Sequence, residues 1–198
     1  MKQEPMLNVL VVEDNAALRR AMVKGLDATG ALHCVGEVDS GEEALAFCLA
    51  TPPDAILMDV QLAGEMNGIQ AAVAIRREVP RMPVVFYSIQ DDDAYYRDFP
   101  ASGILSHYAY VRKSNYLLPD SLVPLFRDAV AGRSFIDPAV EARVQEVRNR
   151  DAGDPMALLE SNEREVVALL AQGMTNEQIA ERLGFRDKRA VSRTNGQI

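Results

Sequence analysis

The sequence predicts an α/β fold: a doubly wound, five-stranded parallel sheet followed by a small all-α segment. Three observations predict it. Short apolar runs alternate with longer amphipathic patterns through the first two thirds of the chain. Connections of about a dozen residues, long enough for a helix, favour right-handed crossovers between parallel strands. Near Gly132 the alternation ends, and the patterns that follow are helical only.

The five predicted strands are short runs rich in Val, Leu, Ile or aromatic residues and bounded by polar or turn-forming residues. They are residues 7–12, 33–38, 55–59, 83–88 and 108–113. Because helical patterns separate them, they indicate a doubly wound domain of the flavodoxin-like kind.

The predicted helices of this domain cover residues 15–28, a stretch beginning at Ser40, and residues 68–78 and 119–131. Ser40 is a plausible N-cap, and the acids after it suit the positive end of a helix dipole. The stretch from 91 to 107 does not show how it folds. Its three acids, 91–93, could bind a metal, but we favour solvated charge at a helix start.

Beyond this domain, residues 138–150 predict a polar helix, and 151–155 are typical of a linker. Two amphipathic helices, 162–172 and 176–183, follow, and a third begins at about Lys188. The predicted organisation is therefore a domain at 1–131, a linker helix at 132–155 and a small helical domain at 156–198.

Composition narrows the class of protein. No apolar run approaches the roughly 20 residues of a membrane helix, and the N-terminus lacks the pattern of a signal peptide, so we expect a cytoplasmic protein with no membrane partner. Cys34 and Cys48 fit no metal or redox spacing. The net charge of -8 argues against wholesale binding of nucleic acid, but residues 156–198 hold six basic and six acidic side chains. Any nucleic-acid contact is expected there.

Polar residues follow four of the predicted strands where the strands end. Glu13 and Asp14 follow the first strand, Asp59 ends the third, Ser88 the fourth and Lys113 the fifth. The carboxyl ends of parallel strands share one edge of a sheet, so these groups should converge. Three carboxylates would repel one another unless a hard divalent cation shared them, and Mg²⁺ suits oxygen ligands best.

With Mg²⁺ bound, Asp59 could attack the phosphorus of a phosphodonor and form an acyl phosphate. The metal and the Lys113 ammonium would offset the charge that develops on the transferred group. Ser88 could donate a hydrogen bond to a phosphoryl oxygen. Each of these residues also has a purely structural interpretation, because acids at strand ends are commonly solvated and Tyr110 alone is typical of a core residue. The order in which Glu13, Asp14, Asp59, Ser88, Tyr110 and Lys113 occur at the strand ends favours the functional interpretation.

In this pattern, residues 6 to about 131 resemble the receiver domains of two-component response regulators. The resemblance implies a protein that catalyses only its own phosphorylation and dephosphorylation, with no enzyme activity on other substrates. The implied roles are metal binding by Glu13, Asp14, Asp59 and the backbone carbonyl of Gln61, phosphorylation of Asp59, charge stabilisation by Lys113, and switching by Ser88 and Tyr110.

A phosphatase or dehalogenase with an aspartyl nucleophile on a similar sheet is a rival interpretation. It would need a second acid two positions after the nucleophile. Gln61 occupies that position, which argues against this class.

The C-terminal run NEREVVALLAQGMTNEQIAERLG, residues 162–184, predicts two packed helices with Gly173 between them. It is similar to the LuxR-type helix-turn-helix domain of response-regulator transcription factors, in which the next helix enters the DNA major groove. The resemblance implies DNA contacts near the start of that helix by Lys188, Arg189, Ser192 and Arg193. Alternatively, these basic residues only solvate a helix.

The sequence ends at Ile198, where the recognition helix of this family is only part complete. We therefore expect a truncated output domain with weakened DNA binding. The leading hypothesis is a transcriptional response regulator that receives its phosphoryl group from a sensor histidine kinase or a small phosphodonor. Phosphorylation would then promote a homodimer or free the C-terminal segment. The alternative is a receiver or phosphorelay module that binds other proteins and has no DNA-binding output.

Overall fold

The computed structural model describes residues 5–89, 92–116, 118–152, 161–171 and 173–183. The chain divides into two compact units, Met1–Val147 and Arg148–Ile198. No helix in the described part of the chain is long and apolar enough to cross a membrane.

The first unit is built on a parallel sheet that has six strands within the described residues. The strands are β1 (Leu7–Val12), β2 (Leu32–Val38), β3 (Ala55–Asp59), β4 (Val84–Ser88), β5 (Tyr108–Arg112) and β6 (Ser134–Ile136). Their order across the sheet is β2-β1-β3-β4-β5-β6. β1 and β3 are neighbours, with β2 beyond β1 and β4 to β6 beyond β3, so the chain winds outward from this pair in both directions. The doubly wound parallel fold is confirmed.

Helices cover both faces of this sheet. They are α1 (Ala16–Ala28), α2 (Gly41–Ala50), α3 (Gly68–Glu78), α4 (Asp93–Ala101) and α5 (Pro119–Val130). In β3, Ile56 and Met58 enter the core that α2 and α3 cover, whereas Ala55 and Leu57 enter the core under α1 and α5. Strands buried on both faces need apolar residues at every position, which is why they read as continuous apolar runs.

Side-chain caps fix where the helices begin. The Ser40 hydroxyl accepts the Glu43 N–H at 3.4 Å, so the predicted N-cap of α2 is confirmed. Asp92 caps α4 by accepting the Ala94 N–H at 2.9 Å. Asp93 lies in the first turn of α4, so these two acids agree with the interpretation as helix-start charge, while residue 91 lies outside the described residues.

The sheet has one strand more than the five predicted. β6 lies in the segment predicted to be a linker, and it pairs in parallel with β5 from Tyr108–Ser134 to Tyr110–Ile136. Gly132, at φ +84°, lies in the turn between α5 and β6. A strand of three half-buried or exposed residues is too short to show a hydrophobic period in the sequence.

The helix that follows β6, α6 (Pro138–Ala152), packs on the same unit. Val140 and Val147 are 0 % and 1 % exposed and belong to the core that α2 and α3 cover. The Arg143 guanidinium lies 3.1 Å from a carboxylate oxygen of Asp93 in α4, and 5.7 Å from the ring centroid of Tyr96. The predicted polar helix is therefore present, and its residues 138–147 belong to the first unit.

The second unit contains the predicted pair of helices, α7 (Ser161–Ala171) and α8 (Asn176–Leu183). Their contact is a small apolar core formed by Val166, Leu169, Ile179 and Ala180. Thr175 caps α8 through reciprocal hydrogen bonds with Gln178, of 2.9 and 3.4 Å. The expected third helix, from about Lys188, lies outside the described residues.

Replacing Val140 by alanine should lower the free energy of unfolding of the first unit by about 1.5 kcal/mol, because two buried methylene equivalents are lost. All six tyrosines of the chain, residues 87 to 116, lie in that unit. Urea denaturation followed by tyrosine fluorescence therefore reports on it without interference from the second unit. The matched control is Val130→Ala, at the exposed end of α5, where we expect a change within about 0.5 kcal/mol. Equal losses in the two variants would contradict the burial of α6.

Candidate functional site

The predicted site residues meet at the carboxyl edge of the sheet. Glu13 and Asp14 directly follow β1, Asp59 and Ser88 are the last residues of β3 and β4, and Lys113 directly follows β5. Four of the five side chains are buried, between 2 % and 6 % exposed, and Asp14 is exposed. A buried charged group is costly unless it is paired, so the contacts among them decide how the site is held.

The Lys113 ammonium is the centre of these contacts. Its Nζ donates to Glu13 Oε2 at 2.6 Å and to Asp59 Oδ2 at 2.7 Å. It also lies 5.4 Å from the ring centroid of Tyr87, whose hydroxyl donates to the Tyr116 carbonyl at 3.0 Å. Tyr87 thus contacts both the ammonium and the turn after Lys113. This role was not predicted from the sequence, whose signal for it is an aromatic residue beside Ser88.

Asp59 is held at both of its carboxylate oxygens. Lys113 binds Oδ2, and the Gln61 N–H donates to Oδ1 at 3.1 Å. Burial nevertheless raises the pKa of the Asp59 carboxyl from 3.8 to about 6; Lys113 opposes this rise and Glu13 adds to it. With Lys113 as its main positive neighbour, the pocket therefore disfavours the charged form of the Asp59 carboxyl.

The three acids form a group that fits a divalent cation. One oxygen from each of Glu13, Asp14 and Asp59 lies within 4.8 Å of the others, and this is the cluster of potential ligands found among the described residues. Three carboxylates face one ammonium, so the site is short of positive charge. An all-oxygen donor set with excess negative charge suits a hard cation such as Mg²⁺.

Gly68, the first residue of α3, contributes to the site through its missing side chain. A Cβ atom at this position would lie 1.9 Å from the carbonyl oxygen of Asp59, and the Gly68 N–H donates to the Val60 carbonyl at 2.9 Å. The start of α3 therefore packs directly on the backbone of the Asp59 turn. The sequence signal for this role is a glycine at a helix start, which does not reveal what it touches.

The expected switch residues lie beside the site. Ser88 accepts the Lys113 N–H through its backbone carbonyl at 2.8 Å, which links the ends of β4 and β5. Tyr110 is 1 % exposed, and its ring packs 5.7 Å from that of Phe86 and 5.0 Å from that of Phe99. Burial raises the pKa of the Tyr110 hydroxyl. Their switching roles stay predictions.

Two groups of predicted contacts have no further structural support. The Gln61 backbone carbonyl is a predicted metal ligand, and its N–H contact with Asp59 does not bear on that role. The predicted DNA contacts Lys188, Arg189, Ser192 and Arg193 lie outside the described residues.

The raised pKa of Asp59 gives a pH-dependent stability. Because the folded protein holds this proton more tightly than the unfolded chain, stability is lost as pH rises from about 4 to 6. With EDTA present, Asp59→Asn should therefore be more stable than wild type above pH 6, by about 1 to 3 kcal/mol, and Lys113 keeps Glu13 as its partner. Urea denaturation at a series of pH values measures the difference.

A matched control is Asp54→Asn, which changes an exposed aspartate just before β3 that accepts the Asn8 N–H at 2.7 Å. The asparagine amide oxygen can still accept this N–H, now as a neutral acceptor, so this variant should gain no stability at pH 7. A difference between Asp59→Asn and wild type that does not grow as pH rises would contradict the proposed electrostatics.

Comparison with known proteins agrees with this geometry. Residues 9–109, which are 101 of the 198, match the family model described as the response regulator receiver domain. The transcriptional regulatory protein LiaR of Bacillus subtilis is 31 % identical over 186 residues, covering 90 % of this chain and 82 % of that protein. The DNA-binding transcriptional activator DevR/DosR of Mycobacterium tuberculosis is also 31 % identical, over 92 % of this chain and 82 % of its own length.

Among solved structures, the RcsB response regulator of Salmonella typhimurium matches with a TM-score of 0.61 and 19 % identity, over 98 % of this chain and 90 % of that one. At this identity the likeness supports the fold alone. Because the receiver-domain match spans more than half of the chain and the identity to LiaR extends over nine tenths of it, the chain belongs to the response regulators that carry a receiver domain.

Proposed function

We propose that this response regulator is activated by phosphorylation of Asp59 and that its C-terminal helices bind DNA to control transcription. The observation that carries the first part is the buried contact of the Lys113 ammonium with Asp59 Oδ2 at 2.7 Å. This contact places a positive charge beside the carboxylate that would react. Both groups lie at the carboxyl edge of the sheet, where the other polar site residues also lie.

In the proposed reaction an oxygen of Asp59 attacks the phosphorus of a phosphodonor. A new O–P bond forms as the bond between phosphorus and the leaving group breaks, and the donor departs as acetate or as the histidine of a kinase. Lys113 would follow the transferred group and balance charge on its oxygens. The Gln61 N–H, bound to Asp59 Oδ1, would orient the carboxylate.

The acids fit a Mg²⁺ ion held by Glu13, Asp14 and Asp59, with the Gln61 carbonyl as a further ligand. When bound, Mg²⁺ would neutralise charge on the phosphoryl oxygens. The Ser88 hydroxyl would donate to one of those oxygens, and Tyr110 would respond to its movement. The chemistry would be limited to the protein's own phosphorylation and dephosphorylation.

The phosphodonor would be a sensor histidine kinase in the cytoplasm, or a small acyl phosphate. Phosphorylation would promote a homodimer through the surface formed by β4, β5 and the helices that follow them. The similarity to LiaR and DevR/DosR, whose names describe transcriptional regulators, supports the proposed control of transcription.

Incubation with acetyl phosphate and Mg²⁺ should add one phosphoryl group, detected by intact mass. Asp59→Asn should remove the adduct, because among the residues that the structure describes only Asp59 combines the Lys113 contact with the Gln61 N–H. Lys113→Met should slow phosphorylation by about 100-fold or more, the loss expected for one charged stabilising group.

The exposed Asp54→Asn is again the matched control, and it should be phosphorylated like wild type. A phosphoryl adduct of normal yield in Asp59→Asn would disprove the assignment of the acceptor.

DNA binding is supported by the packed helix pair α7 and α8 and by the basic residues predicted beyond it. The chain should bind a pool of random duplex DNA more tightly with Mg²⁺ and beryllofluoride, a phosphoryl mimic, than without them. Arg193→Ala should weaken this binding and lower its dependence on salt by about one counterion, if Arg193 contacts a phosphate. Electrophoretic mobility shift or fluorescence anisotropy at several salt concentrations measures both.

Arg150→Ala, in the polar helix α6, is the matched loss of one arginine and should change the salt dependence less. DNA binding that does not depend on salt, or no DNA binding with or without beryllofluoride, would favour the alternative of a receiver or phosphorelay module that acts on other proteins.

A further inference from the structure

Asp137 is a buried carboxylate that the proposed reaction does not use. It precedes α6 directly and is 3 % exposed. Its Oδ1 accepts the Ala139 N–H at 2.8 Å and so caps the helix, while its Oδ2 accepts the Asn115 side-chain N–H at 2.8 Å. Its own N–H donates to the Tyr110 carbonyl at 2.9 Å. Such charge-assisted bonds are stronger than neutral ones.

Asn115 belongs to the turn that carries Lys113. Its N–H donates to the Arg112 carbonyl at 3.0 Å, so the turn is tight and starts where β5 ends. Lys113 is therefore held on two sides. The Ser88 carbonyl binds its backbone N–H at 2.8 Å, and Asp137 holds its turn through Asn115.

These contacts form one continuous path from Asp59 to α6. Asp59 binds the Lys113 ammonium, the turn connects Lys113 to Asn115, and Asn115 binds the residue that caps α6. A shift of the Lys113 turn beyond the reach of the Asn115 side chain either moves Asp137 or breaks its hydrogen bond with Asn115. Along the chain, α6 continues past Val147 to Ala152, beyond the end of the first unit.

We propose that Asp137 is a positioning residue for Lys113, and that the hydrogen bond between Asn115 and Asp137 couples the phosphoryl state of Asp59 to the docking of α6. This inference rests on the proposed phosphorylation of Asp59. A phosphoryl group there draws the ammonium away from Asp59 Oδ2, and the turn that carries Lys113 follows. Coupling of this kind is reciprocal, so a change at Asp137 also alters the binding of a phosphoryl mimic.

The test uses the full chain with Mg²⁺ and beryllofluoride. Asn115→Asp places a second carboxylate against Asp137, so the two groups repel each other while the cap of α6 is kept. We expect the dissociation constant for beryllofluoride, measured by calorimetry, to rise about fivefold. Amide hydrogen exchange across residues 139–147 should be faster in this variant, and it should no longer respond to beryllofluoride as it does in wild type.

Adding Asp137→Asn to this variant restores the hydrogen bond with donor and acceptor exchanged. In the double variant both the affinity and the exchange response should return toward wild type. If the new acid acted only by its charge near Lys113, the effect would persist in the double variant, and the positioning role would be overturned. Arg133→Ala, which removes an exposed ion pair with Asp128, is the control and should change neither readout.

The coupling and the proposed function fail in different ways. If wild type binds beryllofluoride and the exchange of residues 139–147 does not change, the coupling is overturned while the phosphoacceptor role stands. If wild type binds no beryllofluoride, the phosphoacceptor role itself is overturned, and this inference with it.

Discussion

The rest of the site depends on one buried ammonium. Lys113 lies between Glu13 and Asp59, and all three side chains are withdrawn from water. Burying any one of these charges by itself would cost several kcal/mol, and the attraction among them offsets that cost only where the geometry is close. The strands that end at these residues must therefore reach the same depth in the sheet, which the parallel register of β1, β3, β4 and β5 ensures.

The cluster of Glu13, Asp59 and Lys113 has more negative than positive charge. It also depends on close backbone packing around Asp59. Burial raises the pKa of the Asp59 carboxyl, and the Lys113 ammonium opposes this rise. The start of α3 can contact the backbone of Asp59 only because Gly68 has no side chain. Electrostatics and packing thus act together: the close approach of α3 fixes the Asp59 turn, and the fixed turn keeps its carboxylate within reach of Lys113.

The convergence of Glu13, Asp59, Ser88 and Lys113 could be predicted from the sequence, because parallel strands necessarily bring their carboxyl ends to one edge of the sheet. The same reasoning could not find Gly68 or Tyr87, since their roles depend on which atoms lie opposite them in three dimensions. It also missed β6, whose three residues carry no period. The pair Asn115 and Asp137 is 22 positions apart, in a turn and a helix start, and no pattern of either segment points to the other.

The polar appearance of α6 explains both why it was predicted as a linker and why it is suited to a regulated contact. Its apolar stripe is narrow, consisting chiefly of Val140, Val144 and Val147. A polar helix of 15 residues is marginally stable by itself in water, so α6 depends on docking. Losing the Asn115 contact with Asp137 removes a hydrogen bond to the residue that caps α6. A difference of about 1 to 3 kcal/mol between two states, the usual range of coupling energies, is then enough to shift its docked population substantially.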